Sequence, residues 1–133
     1  MKKPVGKFNR FVLFLAAIFL LLPAAFLPSR AEEQAEPIPS YKYIMVYGTG
    51  ELAAGDVVEF FDPEGTLCGR SVVEEEGGYG LMAVYGDDPM TPDIDEGARE
   101  GDCLTIRVNG QEVYPVGGPP VWEREGETRR IDL

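Results

Sequence analysis

The sequence predicts an all-β protein, an antiparallel β-sandwich of about seven strands behind an N-terminal signal helix. Three observations lead there. From Tyr41 onward, short runs of β-branched and aromatic residues alternate with clusters of Gly, Pro and Asp, the punctuation of strands and turns. No window in that region carries an apolar stripe at helical spacing long enough for a helix. A chain of 133 residues has room for one domain, and strands without helices to cover them bury a core by packing two sheets face to face.

The first strand is expected over Tyr43–Tyr47, ended by Gly48-Thr49-Gly50, and the second over Asp56–Phe61. Asp62-Pro63-Glu64-Gly65 closes the second, because Pro fixes φ at the second turn position and Gly completes the turn. The third runs over Leu67–Val73 to the acidic turn Glu74-Glu75-Glu76-Gly77-Gly78, and the fourth over Tyr79–Tyr85. A long Asp- and Pro-containing loop, Gly86–Gly101, follows. The fifth strand, Cys103–Val108, has the cleanest pattern: Leu104, Ile106 and Val108 alternate with Thr105, Arg107 and Asn109. Asn109-Gly110 then predicts a two-residue hairpin, whose type I′ turn needs positive φ at both central positions. Gln111–Val116 is the sixth strand, and Pro120–Glu123 with Thr128–Leu133 supplies the last.

Ahead of this domain, Lys2, Lys3, Lys7 and Arg10 precede an unbroken apolar run, Phe11–Leu22, which Pro23 interrupts before Pro28-Ser29-Arg30-Ala31. A basic end, an apolar middle and small residues before a cut are the parts of a Sec signal peptide, here residues 1–31. The competing reading is a retained anchor, but the apolar stretch of 17 residues from Phe11 to Leu27 is short and contains Pro23, whereas a span needs about 20. Residues 32–40 read as an acidic flexible spacer and residues 41–133 as the sandwich. The expected destination is therefore outside the cell or in the cell envelope, with membrane contact only through the signal segment before cleavage.

The formal charge of −11 hides an asymmetry. Residues 1–31 carry five of the 12 basic residues and none of the 23 acidic ones, so residues 32–133 stand at seven against 23, a net −16. An acidic surface of this kind excludes nucleic acid as a partner. The chain also has no His, which removes the usual base near neutral pH and the commonest zinc ligand. Ser-His-Asp and Cys-His catalysis are thereby excluded, and no enzymatic role is expected.

A longer pattern joins these pieces. A small residue and Gly (Ala54-Gly55-Asp56) lead into a strand, then Asp62-Pro63-Glu64-Gly65, a second strand, and a Gly-rich turn into the Tyr-led strand at Tyr79-Gly80. Tyr85-Gly86-Asp87-Asp88-Pro89, Asp95-Glu96-Gly97-Ala98, Arg107-Val108-Asn109-Gly110 and Gly118-Pro119-Pro120-Val121-Trp122 continue it. Over residues 43–133 the chain resembles the carboxypeptidase-regulatory-like, or prealbumin-like, β-sandwich modules that recur in secreted and surface proteins of bacteria and archaea. The resemblance implies an Ig-like or prealbumin-like fold and a non-catalytic extracellular role, structural or binding. It carries over no catalytic residue.

Three features are candidates for function. Cys68 and Cys103 are an even pair in an exported chain, so one disulfide or two free thiols are open readings. A bridge would close a loop of about 35 residues and add about 3–4 kcal/mol. In the long loop, Asp87, Asp88, Asp93, Asp95 and Glu96 put five carboxylates within ten residues, a supply of the hard oxygens that Ca²⁺ prefers. The spacing is not that of an EF-hand, since Gly97 stands where a third ligand belongs. The bland alternative is a solvated acidic loop. Finally, Tyr41, Tyr43, Tyr47, Tyr79, Tyr85, Tyr114 and Trp122 are core packing or, where exposed, platforms for a sugar ring. Tyr85, Thr91 and Trp122 are the expected binding surface, for an unknown protein or polysaccharide. The alternative to a plain structural or binding module is one that depends on calcium or binds carbohydrate.

Overall fold

The computed structural model describes residues 35–133; the expected signal segment and the first residues of the spacer lie outside the described residues. The described part is all-β, with no helix among its residues. Nine strands occur in chain order: β1 Tyr43–Thr49, β2 Val57–Phe61, β3 Leu67–Val72, β4 Gly78–Tyr85, β5 Asp102–Cys103, β6 Thr105–Val108, β7 Gln111–Val113, β8 Val121–Trp122 and β9 Thr128–Arg130. They form a sheet of order β4-β1-β9, a sheet of order β3-β2-β6-β7, and a two-stranded β5-β8 ribbon. Alternate residues of both large sheets turn inward. Ile44 and Val46, Val58 and Phe60, Met82 and Val84, and Ile106 are buried, with Leu104, Trp122 and Ile131 in the same apolar cluster. The arrangement is sandwich-like.

The local signals act where the sequence places them. Asn109 has φ 51° and Gly110 φ 79°, and Val108 pairs with Gln111 across the turn. Asn109 also serves β2: its Oδ1 accepts from Val57 N at 2.9 Å and its Nδ2 donates to Asp56 Oδ1 at 2.9 Å. In the β2–β3 turn, Asp62 Oδ1 accepts from Glu64 N at 2.9 Å and Thr66 N at 2.8 Å, an Asx-type turn.

Three expectations need correction. The predicted last strand, Pro120–Glu123 with Thr128–Leu133, is two strands in different sheets, β8 pairing with β5 and β9 with β1. The predicted fifth strand is two strands. Asp102 and Cys103 pair with β8, and Leu104 N still donates to Pro120 O at 2.8 Å. From Thr105 the chain pairs with β2 instead. One run with one alternation thus serves two sheets, and alternation alone does not reveal a change of partner. The sandwich is also not wholly antiparallel, because β9 runs parallel to β1. Hairpins force antiparallel pairing only between strands joined by tight turns, and these two are neighbours in the sheet but far apart along the chain.

Residues 35–40 form no strand, yet the stretch expected as a spacer makes specific bonds. Glu36 pairs with Arg70 at 3.0 Å, and Ser40 Oγ donates to Gly86 O at 2.7 Å. A bulge between Phe60 and Phe61 leaves Cys68 without a cross-strand partner on β2. Cys68 and Gly69 are therefore both buried in succession, as a bulge re-aims the side chains that follow it.

Candidate functional site

The long loop leaves β4 at Gly86 and returns at Ala98, where the two residues form an isolated parallel bridge. Asp87 N donates to Ala98 O at 2.8 Å and Ala98 N to Tyr85 O at 3.1 Å. Gly97 closes this base because a Cβ there would stand 2.1 Å from Tyr85 O. Within the loop, Glu96 is buried and its carboxylate turns inward. It accepts from the Thr91 hydroxyl and, at 3.2 Å, from Asp88 N. The Thr91 bond, foremost, holds the Glu96 carboxyl below the usual carboxylate range. Asp88 Oδ1 accepts from Met90 N at 2.8 Å. Thr91, expected on a binding surface, is thus occupied in bracing the loop.

The structure does not gather the five loop carboxylates into one calcium site. Glu96 and Asp88 bond the loop's own donors, Asp93 is exposed, and Asp87 accepts from Arg99 Nε at 3.4 Å. Asp95 alone joins a group of three acids among the described residues. Its partners are Asp62 and Glu64, with one oxygen from each within 4.8 Å of the others. The link is direct, since Thr66 Oγ1 at the end of the β2–β3 turn donates to Asp95 Oδ2 at 2.7 Å. Asp62 and Glu64 were legible as a turn motif; that the turn meets the loop required the sheet that carries both. Arg99 stands beside the group, 3.8 Å from Glu64 and 3.4 Å from Asp87, and its guanidinium pKa is raised by the Asp87 bond and then by Glu64.

Cys68 and Cys103 are free thiols. Cys68 is buried beside Gly97, its Sγ 3.4 Å from Thr66 O as a donor, while Cys103 is exposed on the β5–β8 ribbon. The pair is unbridged because one thiol points into the core and the other out of it. Burial, and then the nearby Asp62 carboxylate, push the Cys68 thiol up to about 12.

The aromatic residues divide cleanly. Trp122 is 2% exposed and Nε1 donates to Val84 O at 3.4 Å, so it is a core residue and leaves the expected binding surface. Tyr79 is buried too. Tyr43 and Tyr47 instead lie on the outward face of β1, where alternate residues project away from Ile44 and Val46. Tyr85 sits opposite Tyr43 with ring centroids 6.3 Å apart, edge to face. Met45 lies between the two β1 tyrosines, and Arg130 of β9 is in register with Tyr47. One sheet face thus presents Tyr43, Tyr47 and Tyr85, bordered by the ion pair of Arg130 with Asp132 at 3.0 Å, and Tyr41 is exposed just ahead of β1.

No family model, no curated protein and no solved structure matches the chain.

Proposed function

We propose that this protein is an exported, non-catalytic β-sandwich module of the Ig-like or carboxypeptidase-regulatory-like kind, acting by binding at the cell surface or outside the cell. The observation that carries the reading is the outward tyrosine face of the β4-β1-β9 sheet, Tyr43, Tyr47 and Tyr85, with the Arg130–Asp132 ion pair at its border. Tyr supplies a large amphipathic contact at small entropic cost, which suits a polysaccharide or protein partner. The signal-like residues 1–31 and the −16 charge of the remainder support export and solubility. The missing His and a Cys68 thiol kept protonated by burial support a non-catalytic role. The test is a glycan array with a parallel panel of surface proteins, run with wild type and with Tyr43→Ser/Tyr47→Ser. A ligand lost in the double variant is the expected result; a ligand bound equally by both removes the tyrosine face from the function.

The second reading is a calcium-dependent module, favoured by one observation, the approach of Asp62, Glu64 and Asp95. Calcium needs six to eight oxygens, so these side chains would be joined by carbonyls or water. Calorimetric titration decides it: saturable heat that disappears in Asp95→Asn supports the site, and no heat at millimolar calcium ends it.

A further inference from the structure

β3 and β4 are end strands of the two large sheets, and they face each other along one side of the domain. Among the described residues β3 has a ladder partner only in β2, and β4 only in β1, so each presents an outer edge of backbone donors and acceptors. Such edges recruit extended chains unless they are blocked. The seam is tight at one point, where a Cβ on Gly69 would stand 2.6 Å from Ala83 O. Beyond it the seam opens into two recesses that share Ser71 and Leu81.

The two recesses differ in what borders them. One, about 570 Å³, is walled by the chain's own Glu36, Pro37 and Pro39, with Glu36 paired to Arg70. A segment carrying Glu36 therefore already lies over this end of the seam, its carboxylate matched by the arginine beneath. The other recess, about 600 Å³, is bordered by Glu74, Glu75 and Glu76 of the β3–β4 turn and, among the described residues, by no segment outside β1 and the β3–β4 hairpin. Those three carboxylates are exposed and make no ion pair among the described residues. Val72 and Leu81 at its border are 47% and 61% exposed and so offer apolar surface beside the strand edge. The charge is the reverse of that at the occupied end.

We propose that this recess is a docking site for an extended, lysine- or arginine-bearing peptide segment of a partner protein. Its backbone pairs with the free β3 or β4 edge, its apolar side chains cover Val72 and Leu81, and its cations meet Glu74–Glu76. The site is separate from the tyrosine face and does not depend on it.

The test uses the full chain and a blocked hexapeptide of alternating Lys and Val, with the same hexapeptide methylated at every backbone nitrogen as control. The methylated peptide keeps the charge but has no backbone N–H on either edge, so strand addition and simple charge attraction are distinguished. The expected result is saturable binding of the Lys-Val peptide by calorimetry, with slowed hydrogen exchange at Val72 and Gly78–Leu81. The Glu74→Gln/Glu75→Gln/Glu76→Gln variant should bind about tenfold more weakly or worse, while Glu123→Gln/Glu125→Gln should bind as wild type does. Equal binding of the N-methylated peptide, protection elsewhere, no effect of the triple variant, or no saturable binding would each overturn the proposal. The exchange measurement on wild type stands even if the triple variant fails to fold. Tyr43→Ser/Tyr47→Ser leaves the peptide result unchanged, which separates failure here from failure of the tyrosine-face reading.

Discussion

Replacing Tyr79 by Phe removes one hydroxyl and leaves its ring in place against Phe60, 6.3 Å away. The hydroxyl donates to Ile131 O at 2.6 Å in a buried setting. That carbonyl is enclosed: a Cβ on Gly48 would stand 1.9 Å from it, so water has little room to replace the lost donor. Leaving one buried acceptor unsatisfied costs about 1–3 kcal/mol, which in a domain of this size lowers Tm by about 5–20 °C. A second signature comes from pH. Burial first, and then the Asp132 carboxylate, raise the Tyr79 phenol above its ordinary value. Below the free phenol's pKa of about 10, folded and unfolded chains both keep the proton, and this group adds no pH dependence. Above it the unfolded chain releases the proton and the folded chain does not, so stability falls as pH rises. Thermal melts followed by circular dichroism at about pH 7, 9 and 11 test both effects. The gap between wild type and Tyr79→Phe should be full at the two lower values and shrink at the highest. An unchanged Tm at neutral pH, or a gap that stays constant into the alkaline range, would refute the reasoning.

Trp122→Ala should cost about 3–5 kcal/mol in denaturant unfolding, because a ring 2% exposed leaves a cavity between the ribbon and β4; a cost under about 1 kcal/mol would place the ring at the surface. Gly86→Ala is expected to destabilise by about 1–3 kcal/mol, since the new Cβ would stand 2.5 Å from Trp122 Cζ2 and the ring is packed. A neutral effect would mean that the Trp122 ring yields freely. Cys103 should react with a thiol reagent in the native protein, and Cys68 only on unfolding, given its burial and a thiol pushed up to about 12. Equal labelling of both in the native state would contradict the packing, and labelling of neither without reduction would show a bridge.

The turns were the most legible part of the fold. Asn109-Gly110 and Asp62-Pro63-Glu64-Gly65 specify backbone geometry within four residues, and the structure forms turns at both places. Strands β1 to β4 fall within a residue or two of their expected bounds, because β-branched runs between turn residues require no distant partner to be recognised. The candidate site was less legible. The acidic loop could be found by composition, but which carboxylates face each other depends on Thr66 and the β2–β3 turn arriving beside Asp95. Trp122 illustrates the same limit. A Trp in a strand suits either a platform or a core, and only the close approach of Gly86 and Val84 assigns it.

By itself, then, the sequence determined the all-β class, the turns, the acidic charge of the domain and the absence of histidine chemistry, all properties that reside in single residues or in neighbours along the chain. Tertiary structure alone decided that β9 runs parallel to β1, that Cys103 and Cys68 face apart, and that the β1 face bearing Tyr43 and Tyr47 is the exposed one while Trp122 is enclosed. These depend on which strand edges meet across the domain, and pairing between distant strands is fixed by packing of the whole core and not by any local pattern.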